Sequence, residues 1–199
     1  MRKLAFALAA TAVCALSVPT TPARASMETV EAQMTATSAA SLARHDMYEA
    51  FGVEELKPGK YLWRDVPASA GEERVVIGLS DQLAYLYRGA TLMAVATISS
   101  GEPGRDTPTG IFTVLNKKTM HRSKKYDNAA MPYMQRIDDY GIAMHGGPLP
   151  GYPASHGCIR LPTKFAAKLF AATEVGTPVY VGGYPPYFDP EAARIALND

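Results

Sequence analysis

Long hydrophobic runs are almost absent from this chain of 199 residues. The one uncharged, largely apolar run covers residues 4–18 and is too short for a membrane-spanning helix. Arg2 and Lys3 precede it and a small-x-small triplet follows at residues 23–25, which is the pattern of a secretory signal. The sequence therefore predicts a signal peptide at residues 1–25, export to the periplasm or cell envelope, and no stable membrane insertion after signal cleavage.

Cysteine is equally scarce, with only Cys14 and Cys158. Lipid attachment at Cys14 is disfavoured because Val13 is bulkier than the small residue that such processing usually requires. Removal of the signal leaves Cys158 without an internal disulfide partner, although exported proteins commonly use disulfides. A leftover thiol in an exported protein indicates intermolecular pairing or a reactive function.

A strong excess of charge is also lacking, since the formal net charge is +1. The signal peptide carries three of the 20 basic residues, so the remaining chain has slightly fewer basic residues than its 19 acidic ones. This balance argues against a nucleic-acid partner held by phosphate neutralisation. A mature length of about 170 residues suits one domain that folds without disulfides.

The mature chain divides by composition into three parts. Residues 26–57 are rich in Ala, Ser, Thr, Met and Glu, and they are predicted to be a linker or a loose helical segment. Residues 58–182 carry the strand pattern of a folded domain, and residues 183–199 form a C-terminal tail.

The folded domain is predicted to be mostly β with one or two helices. Short β-branched or alternating segments with Gly-bearing turns between them indicate an antiparallel meander or sandwich. These segments are residues 74–79, 83–87, 91–100 and 110–115. Residues 117–139 have no clear period and predict a long loop that acts as a flap over a groove. A strand at 141–144, a helix capped by Thr163 and stopped by Gly176, and a last strand at 178–181 are expected to follow.

The main chemical signal is the run Ser-His-Gly-Cys-Ile-Arg at residues 155–160, with His145 upstream. A thiol attacks as its thiolate, and a nearby imidazole that accepts its proton raises the reactive fraction. His145 is expected at the end of a separate strand, from which it can approach Cys158 across the site. His156 lies only two residues before Cys158 and is less well placed for in-line transfer. We therefore predict Cys158 as the nucleophile and His145 as the base.

Backbone groups are expected to complete this site. No Asp or Glu lies between residues 141 and 160, so a carbonyl of Gly146 or Gly147 is the expected acceptor that orients the imidazole. Gly157 allows a sharp turn, in which its amide and that of Cys158 point at the oxygen of an attacked carbonyl.

Other interpretations of these residues are open. A buried, inert Cys158 is disfavoured by its Ser, His, Gly and Arg neighbours. A zinc site from His145, His156 and Cys158 is disfavoured because no recognisable ligand spacing accompanies it. Arg160 fits a brace on loop carbonyls as well as a carboxylate clamp, and Tyr133 fits packing as well as substrate contact.

At these residues the chain resembles the L,D-transpeptidase catalytic domain, of the YkuD type, of bacterial cell-wall enzymes. The family signature is a His followed at a distance by Ser/Thr-His-Gly-Cys, a hydrophobic and a polar residue, which residues 155–160 match. Arg160 stands where many members have Asn, and the interval from His145 is shorter than in the commonest form. Supporting matches occur at residues 107–112, 131–133 and 141–146. The resemblance covers about residues 72–182.

The resemblance implies a β-sandwich-like catalytic domain with no metal and no organic cofactor. It implies that Cys158 attacks the bond between diaminopimelate and D-Ala in a peptidoglycan stem tetrapeptide, and that D-Ala leaves with a proton from His145. The resulting thioester passes to the amine of another stem peptide, giving a 3-3 cross-link, or to an envelope protein.

The resemblance leaves two alternatives and implies further site residues. One alternative is an L,D-carboxypeptidase or endopeptidase that uses water as the acceptor, and the other is a catalytically silent wall-binding module. Ser155, His156, Arg160 and Tyr133 are expected to shape the site and contact the substrate.

Overall fold

The computed structural model describes residues 28–183, whose strands form two sheets that pack with two α-helices. The elements in chain order are α1 (Val30–Phe51), β1 (Tyr61–Trp63), a 3-10 turn (Ala68–Ala70), β2 (Glu73–Gly78), β3 (Leu83–Arg88), β4 (Thr91–Thr97), β5 (Gly110–Thr113), β6 (Asn116–Arg122), β7 (Ala130–Arg136), β8 (Ala143–Gly146), β9 (Ile159–Leu161), α2 (Thr163–Ala172) and β10 (Pro178–Gly182). The predicted signal peptide, Cys14 and residues 184–199 of the predicted tail lie outside the described residues. In the described part of the chain, neither helix has the length and apolar character needed to cross a membrane.

The larger sheet has six strands in the order β1-β4-β3-β2-β10-β5. β2, β3 and β4 form the predicted antiparallel meander. β10 pairs in parallel with β2 and antiparallel with β5, and so closes the sheet late in the chain. The predicted fold class, mostly β with one or two helices, is confirmed.

The smaller sheet has four strands in the order β6-β7-β8-β9, and it corrects the long loop predicted at residues 117–139. Most of that segment is an antiparallel hairpin of β6 and β7, with its tip at residues 123–129. β6 is an edge strand with no buried residue. Its charged sequence lacks the apolar alternation by which a half-buried strand is recognised, because edge strands are often charged. β6 is therefore recognised as a strand by its pairing with β7 and not by its sequence pattern.

α1 is a 22-residue helix that packs on the larger sheet, so most of residues 26–57 is an ordered helix and not a linker. Thr29 caps its first turn, and Gly52 ends it in the left-handed conformation. Its buried residues are Ala32, Ala36, Ala40, Ala43 and Met47. These small side chains give a weak hydrophobic pattern but allow close approach to the sheet. A Cβ on Gly182 would lie 2.1 Å from the Ala36 carbonyl oxygen, so glycine is required there.

α2 joins the two sheets through one shared core. Its buried residues are Phe165, Ala166 and Leu169. The ends of the helix differ from the prediction. Pro162 has the extended backbone of an N-cap, Thr163 is already helical, and no side chain caps this end. The helix ends before Thr173, whose amide bonds the Leu169 carbonyl, and so stops ahead of Gly176.

Candidate active site

Two parallel strands bring the predicted nucleophile and base to one face of the smaller sheet. In β8 and β9, Met144 pairs with Ile159, and His145 pairs with Arg160. Met144 and Ile159 are fully buried in the shared core. Because side chains alternate between the faces of a strand, His145 and Arg160 point to the opposite face. Cys158, immediately before β9, reaches that face as well and packs beside Ala143.

His145 and Cys158 line the same groove, whose volume is about 800 Å³. The hairpin of β6 and β7 contributes one side of this groove, and residues 155–160 contribute another. Cys158 packs against a small apolar cluster that includes Met131 and Met134. The thiol is therefore open to a substrate in the groove while its flank is shielded from water.

The imidazole of His145 is held by the backbone. Its Nδ1 lies 2.9 Å from the carbonyl oxygen of Gly146, and this carbonyl can only accept. Nδ1 therefore carries the proton, and the unprotonated Nε2 is left as the proton acceptor. The described residues place no carboxylate on this ring, so Gly146 supplies the orienting group.

Burial shifts the pKa of both His145 and Cys158. It lowers the pKa of His145, and the positive charge of Arg160 acts in the same direction, while the Gly146 carbonyl opposes the shift. Burial raises the pKa of the Cys158 thiol, which the Ala143 amide and Arg160 partly oppose. Both shifts favour the neutral forms. The site therefore favours a thiol and a neutral imidazole over a thiolate–imidazolium ion pair.

The turn before Cys158 is held by hydrogen bonds within the loop. Ser155 Oγ donates to the Cys158 carbonyl and accepts the Gly157 amide at 3.1 Å. Thr107 Oγ1 donates to the Gly157 carbonyl at 2.8 Å. Gly157 has a φ of +109°, and a Cβ there would lie 2.7 Å from Ile142 Cδ1. The Gly157 amide is thus engaged inside the turn, which leaves the Cys158 amide as the other donor of the predicted pair.

His156 connects three segments beside the groove. Its ring packs against that of Tyr126 in the β6–β7 hairpin tip, with centroids 4.4 Å apart and ring planes tilted by 51°. Its Nε2 lies 3.6 Å from Glu102 Oε1, and Glu102 also accepts from Arg105 at 3.0 Å. These contacts engage the His156 ring with Tyr126 and Glu102 and so favour His145 as the base.

Arg160 and Tyr133, the two remaining predicted substrate contacts, lie in different surroundings. Arg160 lines the groove beside His145. Tyr133 does not line it, because its ring packs on Phe170 of α2 with centroids 6.0 Å apart. This position favours the packing alternative for Tyr133, and its substrate contact stays a prediction. The backbone of Tyr133 has a φ of +56°.

Several residues of the site were not identified from the sequence. Thr107 had a signal only as part of the family match at residues 107–112. Glu102 and Tyr126 had none, because their partner His156 comes from a distant part of the chain. Among residues 28–183, no group of three or more His, Cys, Asp or Glu is arranged to hold a metal.

A cysteine and a backbone-oriented histidine in the groove of a two-sheet domain form a site suited to acyl transfer. The chain matches the YkuD L,D-transpeptidase catalytic domain over residues 72–181. This match covers more than half of the chain, and the chain belongs to the L,D-transpeptidase family.

Similar proteins agree with this assignment. A curated relative, L,D-transpeptidase 1 of Mycobacterium tuberculosis, is 30% identical over 128 residues, which cover 54% of this chain and 51% of the relative. The chain thus spans about half the length of the curated relatives it matches. The crystal structure of L,D-transpeptidase 1 from Mycobacterium tuberculosis superimposes with a TM-score of 0.51 at 26% identity, covering 56% of this chain and 62% of that one. For an L,D-transpeptidase of Xylanimonas cellulosilytica the TM-score is 0.52 at 27% identity, with 60% and 64% covered.

Proposed function

We propose that this chain is a peptidoglycan L,D-transpeptidase in which Cys158 is the nucleophile and His145 the base. The observation that carries the proposal is the position of both side chains in one groove, with His145 on β8 and Cys158 immediately before the parallel strand β9. The bond between Nδ1 of His145 and the Gly146 carbonyl supports it further, because it leaves Nε2 free to accept the thiol proton.

The reaction begins at the amide bond between diaminopimelate and the terminal D-Ala of a stem tetrapeptide. The Cys158 thiol transfers its proton to His145 Nε2 as the sulfur bonds the carbonyl carbon. The Cys158 amide faces the developing oxyanion. The C–N bond then breaks, D-Ala leaves with the proton from His145, and a thioester remains on Cys158.

An acceptor amine completes the reaction. The amine gives a proton to His145 and attacks the thioester, which releases the product and restores the thiol. The side-chain amine of a second stem peptide gives a 3-3 cross-link, and an amine of an envelope protein gives an anchored protein. Water as the acceptor makes the chain an L,D-carboxypeptidase. The predicted signal at residues 1–25 would carry the protein to the periplasm or cell envelope, where this substrate lies.

Intact-protein mass spectrometry with a stem tetrapeptide tests the proposal. The native chain is expected to gain the mass of the peptide less D-Ala, and a second muropeptide should remove this mass as a cross-linked product. Cys158→Ala should abolish the adduct, and His145→Gln should slow its formation by about 10²-fold or more. His45→Gln, in an exposed position on α1, is the matched control and should react normally.

Three outcomes separate the candidate functions. Release of the adduct only as a free tripeptide, with an amine acceptor present, assigns the carboxypeptidase. Binding of the tetrapeptide without any adduct or D-Ala release assigns the silent wall-binding module. An adduct that persists in Cys158→Ala contradicts the assigned nucleophile.

A further inference from the structure

The groove beside Cys158 is strongly cationic. Five basic side chains line it, and no Asp or Glu of residues 28–183 does. These cations are Lys118, Lys124, Lys125, Arg136 and Arg160. Because the chain as a whole is almost neutral, with a formal charge of +1, this excess is local to the groove. A local excess of one charge in a cleft raises the concentration of ligands with the opposite charge.

The two guanidinium groups of this set have no partner in the described part of the chain. The ion pairs found there involve other basic residues, and no hydrogen bond engages the side chain of Arg136 or Arg160. Both side chains are only partly exposed. A guanidinium that has lost part of its water without gaining a protein acceptor is suited to binding an anion from outside.

The cations share one face of the smaller sheet. Lys118 on β6 pairs with Met134, and Arg160 on β9 pairs with His145 of β8. Arg136 on β7 pairs with Ala143 of β8, two residues from His145, so it is offset along the strands from Arg160. Two strand spacings, or about 10 Å, and an offset of two residues, or about 7 Å, put the backbones of the two arginines about 12 Å apart. That distance is the length of about three to four residues of an extended peptide. A peptide that reaches Cys158 across the strands therefore meets several of these cations.

We propose that the groove selects its acyl-donor peptide by free carboxylates, with Arg136 and Lys118 as specificity-determining residues away from the reacting bond. The identity of the peptide rests on the function proposed above. A stem tetrapeptide carries carboxyl groups on its second residue and on the remote centre of diaminopimelate, and each is either a free carboxylate or a carboxamide. A guanidinium bonds a carboxylate through two parallel hydrogen bonds, whereas a carboxamide offers one oxygen and no charge. The groove thus favours stems whose side carboxyl groups are not amidated.

Binding to the full chain carrying Cys158→Ala tests this without chemistry. Two synthetic tetrapeptides are compared by calorimetry: one has both side carboxyl groups free, and the other has both as carboxamides. The D-Ala carboxylate is free in each. Amidation is expected to weaken binding by about tenfold or more, the effect of one or two charge-assisted hydrogen bonds. The preference should fall as salt is raised, because the groove is open to solvent.

Further substitutions, each combined with Cys158→Ala, test which basic residues produce the preference for free carboxylates. Arg136→Gln is expected to reduce the ratio of the two dissociation constants by about fivefold or more. Arg136→Lys should retain only part of the ratio, because an ammonium keeps the charge but not the two parallel hydrogen bonds. Lys118→Gln, at an exposed position, should reduce the ratio without affecting folding. The control is Lys164→Gln, which removes an exposed charge from α2 outside the groove and should leave the ratio unchanged.

The outcomes keep this inference separate from the proposed function. Equal affinity for both peptides, or binding of neither, overturns charge selection whether or not the native chain forms a thioester. A clear preference for the free carboxylates, with no thioester on the native chain, supports charge selection and overturns the transpeptidase. An unchanged ratio in both Arg136→Gln and Lys118→Gln overturns the role of these two residues.

Discussion

Replacing Gly157 with alanine tests whether the turn before Cys158 depends on an unusual backbone conformation. At a φ of +109°, a residue with a side chain is strained, and such strain costs about 1–3 kcal/mol. The new Cβ would also lie 2.7 Å from Ile142 Cδ1, but this atom is the end of a flexible side chain and can move. The free energy of unfolding should therefore fall by about 1–3 kcal/mol, mostly because of the backbone.

A second substitution separates the backbone strain from the close contact with Ile142. Ile142→Val removes the Cδ1 atom, so the double variant keeps the backbone strain and loses the close contact. Urea unfolding, followed through the single Trp63, should show the double variant close to the sum of the two single changes. Because the turn positions the thiol, release of D-Ala by Gly157→Ala should fall by about 10²-fold, as for small misplacements of reacting groups.

Gly176→Ala is the matched control. Gly176 has a φ of +99°, and no other atom lies within 4 Å of a Cβ built there. This variant should lose a comparable amount of stability from backbone strain while D-Ala release stays normal. Native stability and turnover in Gly157→Ala would refute the reasoning, and so would full recovery of both in the double variant with Ile142→Val.

Three further predictions concern the same site. Because burial lowers the pKa of His145, turnover should rise with pH through an ionisation below about pH 6.5 and stay level at neutral pH; a rate profile with its acid limb above pH 7 would contradict this. Ser155→Ala removes a buried hydroxyl bonded on both sides of the turn, so urea unfolding should show a loss of about 1–3 kcal/mol, and no loss would mean that these bonds contribute nothing. Tyr126→Ala removes the ring packed against His156, so hydrogen exchange at residues 123–129 should become faster, whereas Tyr126→Phe should exchange like the native chain.

The parts of the fold that the sequence predicted have local patterns. In β2, β3 and β4, apolar and β-branched residues alternate with short polar or glycine-containing turns, and these patterns depend only on neighbours in the chain. The lone Cys158 and the upstream His145 stood out for a similar reason, because few residue types carry this chemistry. Their roles stay a prediction, and the structure adds that they share one groove.

The parts that the sequence did not predict depend on contacts between distant segments. α1 is stabilised by alanines that fit against a glycine of β10, and an alanine face has almost no hydrophobic signal of its own. β6 is an exposed, charged edge strand, and its pairing with β7 is what identifies it as a strand.

By itself, the amino-acid sequence determined the class of fold and the family resemblance, and it predicted the reactive pair of side chains, because each is encoded by residue type and local spacing. The tertiary structure alone decided that Tyr133 packs on a helix, that His156 packs against the hairpin tip, and that cations from three strands line one groove. These arrangements arise when strands far apart in the chain pair in one register, and no local pattern in the sequence specifies that register.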